Sequence, residues 1–423
     1  MACLALLPLL GLQACGGGAL DAHVRVLNVA SDFSSLDLYD GTTLDIEATA
    51  TDAISGYSGY DEGSYTFNLK NHGSSTTSAT LTSSLTKQKS YTLVAWEKAG
   101  VLTSTMLDEN QSSPSSGNAR LRFFHTAAAE VGAVDVYVTG NACASLPASD
   151  TPVVSSLSGL QDGYSDVTAA TAGTEWHLCV TTAGDRTDVR LDLSSITFKS
   201  GQIGTMIFTA GSGGVLLNAK LLDQQGSLVA HANSSMRLRL VADAANAGAV
   251  AATINGTTLS SGVTSPVVGA YKLVTAGTLS GTVTINGTAL TLPSLSGAAG
   301  SDVTLLVAGT AGAPTITLLT DDNTASTSTS KPVRVRLING LNSSTEAAMM
   351  TIDGEVVADG VAFGAGSSPT SVAASSAAAD LEVSSGSTTV VSATGQTLTS
   401  GKVYTMFLLG DLGGTTKGVL RAD

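Results

Sequence analysis

Aromatic side chains make up only 4% of this sequence, and cations are scarce too, with Lys+Arg 20 against Asp+Glu 34. A net charge of −14 repels phosphate backbones, so nucleic acid is not an expected partner. Helix formers are too thinly grouped to build bundles. The apolar run Leu4 to Leu12, interrupted by Pro8 and Gly11, is too short to span a bilayer. The usual catalytic signatures are missing as well. There is no Gly-x-Ser-x-Gly elbow for a serine nucleophile, and glycine clusters such as Gly211-Ser212-Gly213-Gly214 lack the Lys-Ser/Thr that phosphate cradling needs. His23, His72, His125, His177 and His231 fall singly, without the i, i+3 or i, i+4 pairing of a helical metal site. A chain without these constellations is expected not to be an enzyme and to need no cofactor.

What the sequence does hold is small residues and turns. Gly alone accounts for 46 positions, and Ser, Thr, Ala and Val dominate the rest, as in β-rich chains. One strand recurs four times, around Arg25, Arg122, Arg239 and Arg336, at spacings of 97, 117 and 97 residues. Each copy leads to a hairpin, at Asp37-Leu38-Tyr39-Asp40-Gly41, Asp135-Val136-Tyr137, Thr253-Ile254-Asn255-Gly256 and Thr351-Ile352-Asp353-Gly354. A glycine-aromatic step follows (Gly59-Tyr60, Gly163-Tyr164, Gly269-Ala270-Tyr271, Phe363-Gly364), and then a late strand such as Tyr91 to Trp96 or Tyr404 to Leu408. Alternation, β-branched runs and Asn-Gly or Asp-Gly punctuation give about seven short strands per unit. The expected fold is all-β, four tandem immunoglobulin-like β-sandwich domains after a lipoprotein signal peptide. The expected divisions are a signal peptide at 1–14, a lipidated cysteine and tether at 15–23, and repeats at 24–111, 120–228, 236–323 and 333–423. Short polar joints between them predict a rod of independent beads.

The N-terminal run suits a signal-peptide core, and Leu12-Gln13-Ala14-Cys15 resembles a bacterial lipobox, in which cleavage leaves Cys15 as a lipidated first residue. With no basic residue between Met1 and Leu4, the start is expected to lie upstream. Gly16 after the cysteine, in place of Asp, resembles Gram-negative outer-membrane sorting. The expected location is therefore the cell envelope, with the chain anchored by lipid to the outer membrane and either periplasmic or surface-exposed.

The opening strands, the Asp-Leu-Tyr and Asp-Val-Tyr hairpins at Asp37 and Asp135, the Ser58-Gly59-Tyr60 and Gly163-Tyr164 steps and the closing Gly401 to Thr405 strand resemble the bacterial domain-of-unknown-function family numbered 4397. The resemblance implies a β-sandwich module of secreted or lipid-anchored envelope proteins and carries no activity or functional residue with it. Ala30-Ser31-Asp32 and Ala127-Ala128-Ala129 depart from the Ala-Ser-Pro-Asp-like turn of the family.

Three groups of residues remain as candidates. Cys143 and Cys179 both fall in the second repeat, which carries about 20 extra residues by the repeat spacing. In an exported chain they predict a disulfide, worth about 3 to 4 kcal/mol in the chain-entropy model. The acidic joints, with Asp108, Glu109, Asp223, Asp321 and Asp322, offer hard oxygen ligands, which makes Asp108, Glu109, Asp321 and Asp322 weak calcium candidates. Tyr57, Tyr60, Tyr65, Trp96, Tyr137, Tyr164 and Trp176 are either core aromatics or the rings of a carbohydrate-binding face. The expected function is a non-enzymatic surface or periplasmic binding or spacer module, adhesive in one form, with a glycan or protein ligand. The alternatives are a glycan-binding or glycan-active accessory protein and an envelope assembly factor.

Overall fold

A computed structural model describes residues 21–169, 176–211, 213–244, 248–310 and 313–423. The expected signal peptide, and Cys15 with most of its tether, lie outside these residues. Among the described residues the regular elements are all strands apart from one helical turn at Ala128–Val131 and a 3-10 turn at Cys143–Ser145. Turn chemistry sets the hairpins where the sequence placed them. Asn255-Gly256, Asn286-Gly287 and Asp353-Gly354 each put two successive residues at positive φ, the geometry whose twist matches that of the flanking strands.

One sandwich occurs four times. In the first, the opening strand Ala22–Asn28 lies between the short segments Ala53–Ile54 and Ser58–Tyr60 on one side and Ser90–Lys98 on the other, with Val101–Asp108 beyond. The facing sheet runs Thr43–Ala50, Ser35–Asp40, Gly63–Asn71, Thr77–Leu85. Val24 and Val26 of the opening strand meet Leu36, Leu38, Phe67 and Leu69 of that sheet in the core.

The opening and late strands are parallel neighbours, with Val24 opposite Tyr91 and Val26 opposite Leu93. The same parallel pair recurs as Asn118–His125 with Ile203–Ala210, Ser235–Ala244 with Asp302–Thr310, and Val333–Asn339 with Val403–Gly410. A parallel pair needs a long crossover, and the two hairpins of the facing sheet supply it. The seven strands expected of an immunoglobulin-like unit undercount the repeat, because each of its two sheets has at least four strands.

By packing, the described residues up to Glu97 together with Leu102–Ser112 form one unit, and Lys98–Val101 with Ser113–Asp423 form a second. Within the second unit the expectation of independent beads fails. The third opening strand turns Leu238, Leu240 and Ala242 into its own core and Val241 outward. In the fourth repeat Val335 and Leu337 face inward and Ile338 outward. Val241, Leu306 and Ala308 then pack against Ile338, Phe407 and Leu409 in a further core that belongs to both repeats. The opening strands are thus buried on both faces, as strands crossing the middle of a layered structure are.

A recurrent arginine cluster and a charged cleft as candidate functional sites

Period-2 alternation puts the repeated arginine on the outer face of each opening strand, yet all four are buried. Arg25, Arg122, Arg239 and Arg336 are 4%, 8%, 2% and 1% exposed. A buried guanidinium needs partners for its donors and its charge, and a threonine of the late strand is one of them in all four repeats. In the first repeat Arg25 Nε donates to Thr92 Oγ1 on the late strand (2.9 Å), and Nη2 donates to Glu109 Oε1 (2.8 Å). Tyr57 lays its ring 4.8 Å from the Arg25 Cζ and donates its hydroxyl to the same Glu109. In the third, Arg239 Nε donates to Thr304 (2.8 Å), Nη2 to Asp321 (3.3 Å), and Tyr271 stacks at 4.3 Å while donating to Asp321 (2.6 Å). The second repeat keeps the Arg122–Thr205 bond and the Tyr164 stack at 4.8 Å. The fourth keeps the threonine, with Arg336 Nε donating to Thr405 (2.8 Å).

The third and fourth copies join. Asp423 accepts from both Arg239 and Arg336, and from Thr405. Arg336 Nη2 also lies 3.2 Å from Asp321 Oδ1 and donates to Asn323 Oδ1. Asp321 Oδ1 has that ion pair without an aligned hydrogen bond. Two guanidiniums and two carboxylates therefore share one buried site between the repeats. Four residues along the strand from Arg239, Asp243 accepts from the Gly410 N–H through both carboxylate oxygens (3.0 and 2.8 Å). Burial, partly offset by that hydrogen bond, pushes its carboxyl up to about 7.

A cleft of about 680 Å³ opens where the second, third and fourth repeats meet, lined by Arg190, Arg237, Arg239, Lys272, Arg421 and Asp423 among others. Three of its cations already have acids: Arg190 has Asp188, Arg237 has Asp302, and Arg239 has Asp321 and Asp423. Lys272 and Arg421 lie on exposed segments and donate to backbone carbonyls of Thr258 and Val268, with no carboxylate paired to either among the described residues. Arg190 Nη1 is buried and has no hydrogen-bond partner. Burial and then the neighbouring Arg237 charge pull the Arg190 guanidinium below its ordinary value. Arg237 goes the other way: burial lowers it, but the two bonds to Asp302 more than offset that.

The residues singled out in the sequence fall as follows. Cys143 and Cys179 form the disulfide, with Cα atoms 5.4 Å apart. Of the calcium candidates, Glu109 and Asp321 serve the buried arginines, Asp322 pairs with Arg334, and Asp108 accepts from the N–H and side chain of Asn110. Three of these four carboxylates, Glu109, Asp321 and Asp322, are thus arginine counter-charges, which spacing alone did not reveal. The aromatic candidates are also engaged. Tyr57 and Tyr164 stack on arginines, Tyr60 and Tyr65 pack with Phe67, Tyr137 is buried, and Trp96 donates to Thr105. Trp176 packs against the core of its repeat. Asp37 and Asp135 of the family-like hairpins accept the N–H groups of Ala48 and Ser156, two residues held at positive φ, so the recurrent acid holds a bulge in the next strand. Cys15 lies outside the described residues.

The family model described as "Domain of unknown function (DUF4397)" matches residues 22–137 and 236–343, more than half of the chain. No curated protein matches this sequence. Among solved structures, the streptococcal family 41 carbohydrate-binding modules titled for alpha-glucan recognition align at 11% identity over 44% of this chain and 93% of theirs, with a TM-score of 0.17. A structure titled for alpha-glucan binding by a streptococcal virulence factor aligns at 13% identity over 44% and 92%, with a TM-score of 0.17. The Bacillus anthracis TIE protein aligns at 10% over 68% and 50%, with a TM-score of 0.15. At these scores the likenesses carry no argument about function.

Proposed function

This chain belongs to the DUF4397 family, whose module has no assigned activity, and from that premise we propose that it is a non-catalytic, lipid-anchored binding and spacer protein of the cell envelope. The lipobox-like Leu12 to Cys15 supports the anchor, and the disulfide in the second repeat suits an oxidising compartment. The shared core of the third and fourth repeats suits a stiff arm.

One observation carries the binding half of this reading. Five of the chain's 20 Lys and Arg residues line a single cleft against three aspartates, Asp185, Asp188 and Asp423, although the chain as a whole carries −14. With two rim cations, Lys272 and Arg421, matched only by carbonyls among the described residues, the cleft favours an anionic ligand, such as an acidic envelope glycan. Its carboxylates would pair with Lys272 and Arg421 as Asp302 and Asp423 pair with Arg237 and Arg239.

Two measurements test the proposal. Oligogalacturonate should bind in calorimetry, weaken as salt is raised, and bind less to Lys272→Ala/Arg421→Ala, while a neutral oligosaccharide of equal length should not bind. Binding indifferent to those residues refutes the cleft. Palmitate labelling lost in Cys15→Ala supports the anchor, and labelling of neither form refutes it. Protease shaving of intact cells then separates a surface role from a periplasmic one.

A further inference from the structure

The inserted loop of the second repeat carries more than a disulfide. Strand Trp176–Thr182 places His177 and Cys179 two residues apart, hence on the same face of their sheet. Asp192, on the neighbouring strand Asp185–Ile196, stands directly opposite Cys179. His177 Nδ1 lies 3.5 Å from Asp192 Oδ1. Cys143, from the 3-10 turn of the loop, brings its sulfur into this corner, where the ligand atoms of Cys143, His177 and Asp192 all lie within 4.8 Å of one another. The fourth sulfur or nitrogen needed for a tetrahedron is Cys179 itself, bonded to Cys143.

We infer that this corner is a redox-gated site for a borderline-soft divalent cation such as Zn²⁺, closed while the disulfide stands and open when it is reduced. A disulfide sulfur carries no charge and is a poor ligand, whereas two thiolates, an imidazole and a carboxylate form a set that Zn²⁺ takes in tetrahedral geometry. With a phosphine reductant and water, the phosphorus supplies two electrons and leaves as the phosphine oxide, the water supplies two protons, and Cys143 and Cys179 become thiols. Metal binding then displaces both thiol protons into solvent.

The corner does not depend on the disulfide alone for its assembly. Thr139 and Asn141 both bond Asp150, and Arg186 donates to the Pro147 carbonyl, so the loop stays fastened on both sides of Cys143. Entry is from the His177 and Asp192 side, where those side chains are 20% and 24% exposed, while both sulfurs are buried.

The test uses the full chain with Cys3→Ser and Cys15→Ser, so that Cys143 and Cys179 are its only cysteines. Co²⁺ serves as the optical probe. After phosphine reduction, one equivalent of Co²⁺ should develop a thiolate-to-metal charge-transfer band, Zn²⁺ should displace it, and two protons should be released per metal. The oxidised chain should give no band. His177→Ala and Asp192→Asn should each weaken Co²⁺ binding roughly tenfold or more while leaving the disulfide able to form. A band that ignores both substitutions reports two thiols and no built site, and overturns the inference. Equal binding by oxidised and reduced chains also overturns it. So does a reduced chain that gives no band, whether Trp176 fluorescence shows the repeat folded or unfolded.

Discussion

Replacing Arg336 by Met tests whether the arginine cluster joins the third and fourth repeats. Arg336 is 1% exposed, and its guanidinium meets Thr405, Asn323, Asp321 and Asp423. Met fits the apolar part of the space but leaves two carboxylates sharing Arg239 alone. Removing one partner from a buried ion-pair group costs about 3 to 5 kcal/mol, chiefly because the remaining charge stays buried. At about 1.4 kcal/mol per factor of ten, that is roughly a hundred- to several-thousand-fold faster exchange of the amides that open with this core. Hydrogen exchange read by mass spectrometry on the full chain is the assay, since both tryptophans, Trp96 and Trp176, report on other repeats. Val403–Gly410 and Asp302–Thr310 should lose protection together, and Ser90–Lys98 should not change. Adding Asp423→Asn brings the group of Arg239 and Asp321 back to neutrality and should recover part of the loss. Unchanged protection, or loss confined to the fourth repeat, refutes a shared cluster.

Two further outcomes follow from the same geometry. Asp243, raised to about 7 from an ordinary 3.8, binds its proton more tightly folded than unfolded. Its contribution is therefore fully present below about pH 4 and lost as pH rises to about 7, and Asp243→Asn should flatten that dependence in exchange measured across this window. A pH profile that Asp243→Asn leaves unaltered would show the carboxyl to be without influence. Cys143→Ser opens a loop of 36 residues' separation and should destabilise the second repeat by about 4 kcal/mol in the chain-entropy model, read by denaturant unfolding at Trp176. An unshifted midpoint would place the stability of that repeat elsewhere.

Much of the module was legible without coordinates because its signals are local. Alternation shows which residues of a strand share a face, and Asn-Gly or Asp-Gly pairs set their own turns. The spacing of the four arginines is a property of the chain itself, and two cysteines in one repeat have few partners to choose from. What covers the second face of each opening strand is not local. Arg239 meets Thr304, Asp321 and Asp423 across separations of 65, 82 and 184 residues. A single strand with Arg at alternate positions reads the same whether that face meets water or another repeat. The acidic joints likewise read as solvated turns until Glu109 and Asp321 are seen on guanidiniums, and Tyr57 and Tyr164 as core aromatics or rings of a binding face until arginines are seen stacked on them. Only the tertiary structure decides these roles, because a buried charge persists where its partners converge in space, and no sequence spacing fixes that convergence.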